Sequence, residues 1–380
     1  MVEAVISGMA TTPVGSFPMA TSLGVQVDAA FAALGDANLK PGDIDGVLCA
    51  YTRADPGQML ASDVSELLGI QPSVCFAIRA GGATAGIMVR QAEALIRTGI
   101  CRHMLLITGD NRLTGVEREK AVGVGHPVFE APYGYSVPSG YALVARRYMH
   151  EFGTTLEDLA HIAVSQRRHA SRHPHAHMKA LLSLDDVMKS RIIADPLRLF
   201  DCCLISDGGA ALVVSASDAA RDMPHAPISL LGSGQKHTHE HIVAARSLVD
   251  FGCAESAGAA FRQARMTVAD IDVAEIYDPF TITVLIQLES IGFFERGEAG
   301  NAARLGELGL HGRLPCNTHG GLLSFGHSGA AGGMFHIVEA VAQLRGNVQE
   351  RQVANAKTAF VHLDGGILSA HVSLILGNRQ

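Results

Sequence analysis

The residues best placed to do chemistry surround two glycine-rich turns, each opening a helix-like segment. One is Ala80-Gly81-Gly82-Ala83-Thr84-Ala85-Gly86, ahead of Ile87 to Thr98-Gly99; the other is Gly326-His327-Ser328-Gly329-Ala330-Ala331-Gly332, ahead of Met334 to Val341. The first turn of a helix presents backbone N–H groups and the positive end of its dipole, so the start at Gly82 and Ala83 suits an oxygen on which negative charge builds up. His327, between Gly326 and Gly329, can add a hydrogen bond to such an oxyanion. Tyr277, His362 and Asp364 are titratable groups able to act as general base or acid. Each has a plainer structural alternative. His327 would shape a turn, Tyr277 would be a core tyrosine, His362 would end a strand and Asp364 would cap a turn.

The other reactive types carry less. Cys49, Cys75, Cys101, Cys202, Cys203, Cys253 and Cys316 form no CxxC pair, which fits reduced thiols in the cytosol, and Cys202 and Cys203 read as core. Cys316 reads as an inert buried thiol or as a displaced nucleophile. His237, His239 and His241 alternate, but no cysteine or carboxylate cluster supports them, so no metal is expected. The stretch Arg167 to Lys179 is basic and histidine-rich; it reads either as a solvated loop or as a clamp for phosphate or carboxylate.

The elements that must hold these groups come next. With 48% hydrophobic and 18% charged residues, the chain can bury a large core, which argues against disorder. A net charge of −7 without a long basic run disfavours nucleic acid as a partner. No uninterrupted apolar run reaches the roughly 18 residues of a membrane span, and Glu3 stands where a signal peptide would be positive. Met1 to Gly8 therefore reads as a first strand of a cytoplasmic protein.

The chain repeats itself. Asp43-Ile44-Asp45-Gly46-Val47-Leu48 returns as Asp270-Ile271-Asp272-Val273-Ala274-Glu275, and the Gly82 turn with its helix returns as Gly329 with its own. Asp207-Gly208-Gly209 with its apolar run returns as Asp364-Gly365-Gly366 with His371 to Leu376. Met88, Ala92, Leu95 and Ile96 mark an apolar helix face, as do Met334, Ile337, Val338 and Val341. Short apolar runs after each helix suit buried strands, so the order predicts a duplicated α/β unit with mostly parallel sheets. We expect one half over 1–225, with an inserted loop domain at about 112–199, and a second over 226–380.

Five segments together resemble the sterol-carrier-protein-type branch of the thiolase superfamily. They are the Gly82 turn, Arg191 to Cys203, Glu275-Ile276-Tyr277-Asp278-Pro279-Phe280, Leu314-Pro315-Cys316-Asn317-Thr318-His319-Gly320-Gly321, and Gly326 to Gly332. The resemblance implies the thiolase fold, two duplicated five-stranded α/β halves, a homodimer and an acyl-CoA thioester as substrate, with no covalently bound cofactor. It implies that His327 is the family's activating histidine. It places Gly82, Ala83, Gly326, Gly329, Cys316 and His319 around the substrate.

The same resemblance exposes two losses. Counted back from Thr98-Gly99, the acyl-accepting cysteine falls at Gly82; the second, proton-transferring cysteine aligns with His362, and Tyr277 takes the place of the family's Asn or His. A glycine forms no acyl-enzyme, so covalent catalysis at position 82 is closed. What survives is noncovalent enolate chemistry, which leads to aldol-type carbon–carbon cleavage of a side-chain CoA ester. Some cysteine-less thiolase-like proteins do this with a small OB-fold, zinc-ribbon partner. Two other functions stay open: an acyl-CoA-binding or partner-stabilising protein without catalysis, and an acyltransferase using another thiol.

Overall fold

The computed structural model describes residues 2–54, 57–115 and 125–378. Met1 of the expected first strand and residues 116–124 of the expected insertion lie outside the described residues. In chain order the elements are β1 (Ala4–Thr11), α1 (Ser22–Ala37), β2 (Gly46–Ala50), α2 (Leu60–Leu68), β3 (Val74–Ile78), α3 (Thr84–Arg97), β4 (His103–Asn111), α4 (Val137–Phe152), α5 (Leu156–Ala170), α6 (Leu184–Lys189), β5 (Ile192–Ala194), β6 (Leu197–Arg198), β7 (Asp207–Ala216), β8 (Ile228–His237), α7 (Cys253–Ala264), β9 (Val273–Ile276), α8 (Thr281–Ile291), α9 (Ala299–Arg304), α10 (Gly321–Ser324), α11 (Ala331–Arg345), β10 (Thr358–Gly365) and β11 (Ala370–Gly377).

Nine strands form one sheet in the order β3-β2-β4-β7-β1-β8-β11-β10-β9. Read outward from the β1–β8 junction, β1, β7, β4 and β2 match β8, β11, β10 and β9, so the repeat seen in the sequence is a repeat in the sheet. β3 closes the first half as its fifth strand; in the second half only an isolated parallel bridge between Ala274 and Cys316 takes that place. The expectation of mostly parallel sheets is corrected. β2 is parallel to β3 and β4, and β9 to β10, but the pairs β4–β7, β7–β1, β1–β8, β8–β11 and β11–β10 are antiparallel. Strands 10 and 11 follow each other through a tight turn, and a parallel pair would need a helical crossover there.

The layers follow from alternation along the strands. Ala359, Val361 and Leu363 of β10 face a central core with Met88 of α3 and Met334 of α11, whereas Phe360 belongs to an outer core with α7 and α8. Helices α3 and α11 thus pack between the two half-sheets, with α1 and α2 outside the first half and α7 and α8 outside the second. Between β4 and β7 the chain runs through 112–206 and builds α4 to α6 with the β5–β6 pair, whereas β10 to β11 takes one short turn. No helix among the described residues is long and apolar enough to cross a membrane.

Candidate active site

The starts of α3 and α11 meet the β10–β11 turn, and the packing there is backbone against backbone. Gly81, at φ +59°, has no room for a Cβ because Gly365 and Gly366 lie against it, and Gly333 is closed by the carbonyl of Gly82. Gly82 is the most constrained. A Cβ at that position would overlap the ring and hydroxyl of Tyr277 and the carbonyl oxygen of Asp364. The tyrosine therefore stands where the side chain of a cysteine would start. Neither α3 nor α11 has a side-chain N-cap: Ala83 and Ala330 fill those positions.

His327 joins this point from the loop before α11. Its Nε2 lies 3.2 Å from the Tyr277 hydroxyl, and its Nδ1 lies 3.1 Å from Sγ of Cys203. The backbone of Gly329 beside the ring favours a proton on the imidazole. Burial, then the cations of Arg112 and Arg53, push His327 well below the usual histidine value, so the ring is neutral at neutral pH. Burial and the nearby Asp364 push Tyr277 well above the usual phenol value. Burial raises Asp364 to about 8, its Oδ1 accepts from Leu368 N at 3.1 Å, and its Oδ2 has no hydrogen-bond partner. Tyr141 of α4, stacked on Phe280 and bonded to the Gly366 carbonyl at 2.9 Å, ties the inserted segment to the turn.

Of the expected site residues, the structure brings together Gly82, Ala83, Tyr277 and His327, with Asp364 at the edge through its carbonyl. Gly326, at φ +150°, packs on Val14 and Ser206, and Gly329, at φ +62°, faces Asp110; both shape the loop that carries His327. His362 is not in this group. Its ring lies on the other face of β10 from Val361 and Leu363, bonded to Ser373 at 2.8 Å and to His371 at 3.2 Å. Cys316 is buried on its bridge to Ala274, and burial with Glu275 and Asp278 lifts its thiol well above the usual range. His319 is buried and meets Glu275 at 3.0 Å.

That Glu275 anchors a charged layer beneath Tyr277. His336 of α11 lies 3.1 Å from Glu275 and 3.4 Å from Asp278. Burial opposes a charge on His336, yet Asp278 and Glu275 carry it up to about 9. Burial also opposes the charge on Glu275, but His319 and His336 hold it below its usual range. Glu339 pairs with Arg351 and accepts from Thr318 at 2.6 Å. Asp278 accepts from the Leu322 N–H at 2.7 Å and so fixes the turn after Gly320.

Sequence reasoning missed Cys203 as a neighbour of His327; the two are 124 residues apart and no local pattern links them. The basic stretch is also corrected. Arg167 is buried and donates to Ser324 at 2.8 Å and to the Ala180 carbonyl at 3.0 Å, and His169 is buried on the Asn317 carbonyl at 3.1 Å. These side chains hold α5 to the loop around α10, because their partners are protein oxygens rather than solvent. His237, His239 and His241 do not converge among the described residues.

Two half-sheets clasping a central helix pair, with His327 and the Gly82 turn at the junction, define a thiolase-type enzyme fold. The chain belongs to the thiolase superfamily, in its sterol-carrier-protein-like branch. Residues 234–378 match the family described as thiolase C-terminal domain-like. The chain is 36% identical to a steroid side-chain-cleaving aldolase of Thermomonospora curvata, covering 98% of this chain and 97% of that protein. It is 31% identical to an acetyl-CoA acetyltransferase of Methanothermobacter thermautotrophicus, covering 96% and 97%. The solved structure of the Ltp2-ChsH2(DUF35) aldolase superposes with a TM-score of 0.87 at 33% identity, over 99% of this chain and 98% of that one.

Proposed function

We propose that this protein is a carbon–carbon lyase that cleaves a β-hydroxyacyl-CoA side chain by a retro-aldol reaction. Overall similarity does not choose between lyase and acyltransferase, because relatives at 36% and 31% identity carry the two names. The observation that carries the choice is Tyr277 seated over Gly82, with its hydroxyl on His327. Site residues Gly82, Ala83, Tyr277 and His327 act together, and Asp364 lines the edge.

The thioester oxygen binds against the start of α3, where the helix dipole favours the charge of an enolate. His327 keeps its proton on Nδ1, toward Cys203 and Gly329, so Nε2 is free to accept. The Tyr277 hydroxyl takes the proton of the substrate β-hydroxyl as it gives its own to Nε2. The Cα–Cβ bond breaks, Cβ becomes a carbonyl carbon, and the electron pair passes to Cα and the thioester oxygen. The imidazolium then returns the proton through Tyr277 to Cα. The β-hydroxyl proton ends on Cα, and no nucleophile is consumed.

A homodimer and a small DUF35-type partner belong to the same proposal. The edge strand β3 has an open backbone edge and an exposed Phe76, which suits pairing with a second copy. The partner rests on the composition of the superposed aldolase. Free cysteines throughout the described chain fit a cytoplasmic setting.

One contact favours a second reading, acyl transfer through Cys203, because thiol and imidazole 3.1 Å apart form a possible nucleophile pair. Against it, burial pushes that thiol up to about 12. Purified protein, alone and with a DUF35 protein, should release a ketone or aldehyde and a shortened acyl-CoA from β-hydroxyacyl-CoA. Thiolysis of β-ketoacyl-CoA without any cleavage of the hydroxy substrate would reject the lyase.

A further inference from the structure

Three metal-ligating side chains meet on the outer face of the second half-sheet, and the proposed reaction uses none of them. Cys253 opens α7, His362 lies in β10 and His371 in β11, and all three are fully buried. Nε2 of His362 is 3.2 Å from Nδ1 of His371, and Sγ of Cys253 is 3.6 Å from the same Nδ1. All three donor atoms lie within 4.8 Å of one another. Around a tetrahedral Zn²⁺ with ordinary bond lengths, two nitrogens are about 3.3 Å apart and a nitrogen and a sulfur about 3.6 Å apart. Two edges of the cluster, both at Nδ1 of His371, therefore already have the lengths of such a site, and the third edge, from Sγ to Nε2 of His362, is within 4.8 Å.

The outer hydrogen bonds point the same way. Nε2 of His371 lies 2.9 Å from the Leu368 carbonyl, which can only accept, so Nδ1 of the neutral ring is a lone pair facing the cluster. Nδ1 of His362 lies 2.8 Å from Ser373 Oγ, which is 2.9 Å from Ser256 Oγ, which donates to the Gly234 carbonyl at 3.1 Å. With donation running toward that carbonyl, Nδ1 of His362 carries the proton and Nε2 is a second inward lone pair. Metal-bound imidazoles are held in this way, by an oxygen on the far nitrogen. If Ser373 donates to Nδ1 of His362 instead, the proton of that ring moves to Nε2 and lies between the two imidazoles, so the cluster is satisfied by a proton or by a cation.

We propose that Cys253, His362 and His371 form a buried site for a thiophilic d¹⁰ cation, with Zn²⁺ the ion whose spacing fits. Binding displaces the Cys253 thiol proton to solvent, and each imidazole keeps one N–H. The fourth position goes to a water or to Asp364, the register partner of His371, whose Oδ2 is unpartnered. The ion clips the start of α7 to the β10–β11 turn, which carries Gly365 and Gly366 against Gly81. No local spacing announces the site, because its ligands come from three separate elements.

The test is metal content rather than activity, so it stands apart from the lyase assay. The full chain is produced in zinc-supplemented and cobalt-supplemented media, then measured by elemental mass spectrometry and, for cobalt, by the thiolate-to-metal charge-transfer band. Stoichiometric metal and that band are expected, with both lost in Cys253→Ser and His371→Gln. Ser373→Ala, which changes only the outer partner, should weaken retention against a chelator by about 10- to 100-fold while the fold stays intact by circular dichroism. This variant carries the test if the ligand variants fail to fold. No metal and no band in the wild-type chain, or metal retained undiminished in the variants, overturns the proposal.

Discussion

The hydroxyl of Tyr277 lies 3.2 Å from Nε2 of His327, over a glycine that admits no side chain beneath it. This pair is the reacting unit of the proposed lyase. Tyr277→Phe removes only the hydroxyl, His327→Ala removes the whole imidazole with its Nε2 acceptor, and each should lower kcat by about 10²- to 10⁴-fold. Because burial and two arginines hold His327 well below its ordinary value, kcat/KM should show no acid-side inflection near pH 6.5. Steady-state kinetics from pH 5 to 9 check both points. Unchanged kcat in both variants would take this pair out of the chemistry, and no turnover by the wild-type chain would favour a purely binding protein.

Restoring the missing thiol alone should fail. Gly82→Cys drives a Cβ into Tyr277 and into the Asp364 carbonyl, and overpacking of this kind costs about 1–3 kcal/mol. With the ring gone, the cost should shrink: Gly82→Cys should destabilise a Tyr277→Gly background less than it destabilises the wild-type chain. Thermal melts of the wild type, the two single variants and the double variant give the comparison; an equal cost in both backgrounds would mean that the tyrosine is not the obstacle.

The two cysteine candidates separate cleanly. Cys316→Ala should keep lyase activity, because the residue bridges to β9 through its backbone and its thiol is buried in the outer core. Cys203→Ser should also keep most of it, since a hydroxyl can occupy the place beside Nδ1, whereas an acyl-enzyme route would lose it. Intact-mass measurement after incubation with acyl-CoA distinguishes these outcomes.

The buried layer under Tyr277 predicts a pH effect on stability. His336 titrates near 6.5 when unfolded but at about 9 when folded. A raised value means that the folded state binds the proton more tightly. The stabilisation is complete below pH 6.5 and is lost as pH rises through about 9. The melting temperature should fall across that window in the wild-type chain, and with a smaller slope in His336→Asn.

Much of this is legible in the sequence. The glycine turns, Tyr277 and His327 stand in motifs whose order along the chain encodes the fold, and the repeated segments map onto matching strands of one sheet. Other features depend on register. His362 shares the parity of Phe360, and one residue along a strand reverses the face, so only strand pairing tells that its ring leaves the site. Cys203 looks like core from its neighbours, and its meeting with His327 is made by loops far apart in sequence. The mixed sheet was hidden because the same apolar run suits a hairpin or a crossover strand.

The site floor is glycine backbone from both halves, pressed together at Gly81, Gly82, Gly333 and Gly365. Such a floor offers evolution nothing to vary. Selectivity for one acyl group over another must therefore be written into the walls, and the long β4-to-β7 excursion is where this scaffold has spare chain to write it.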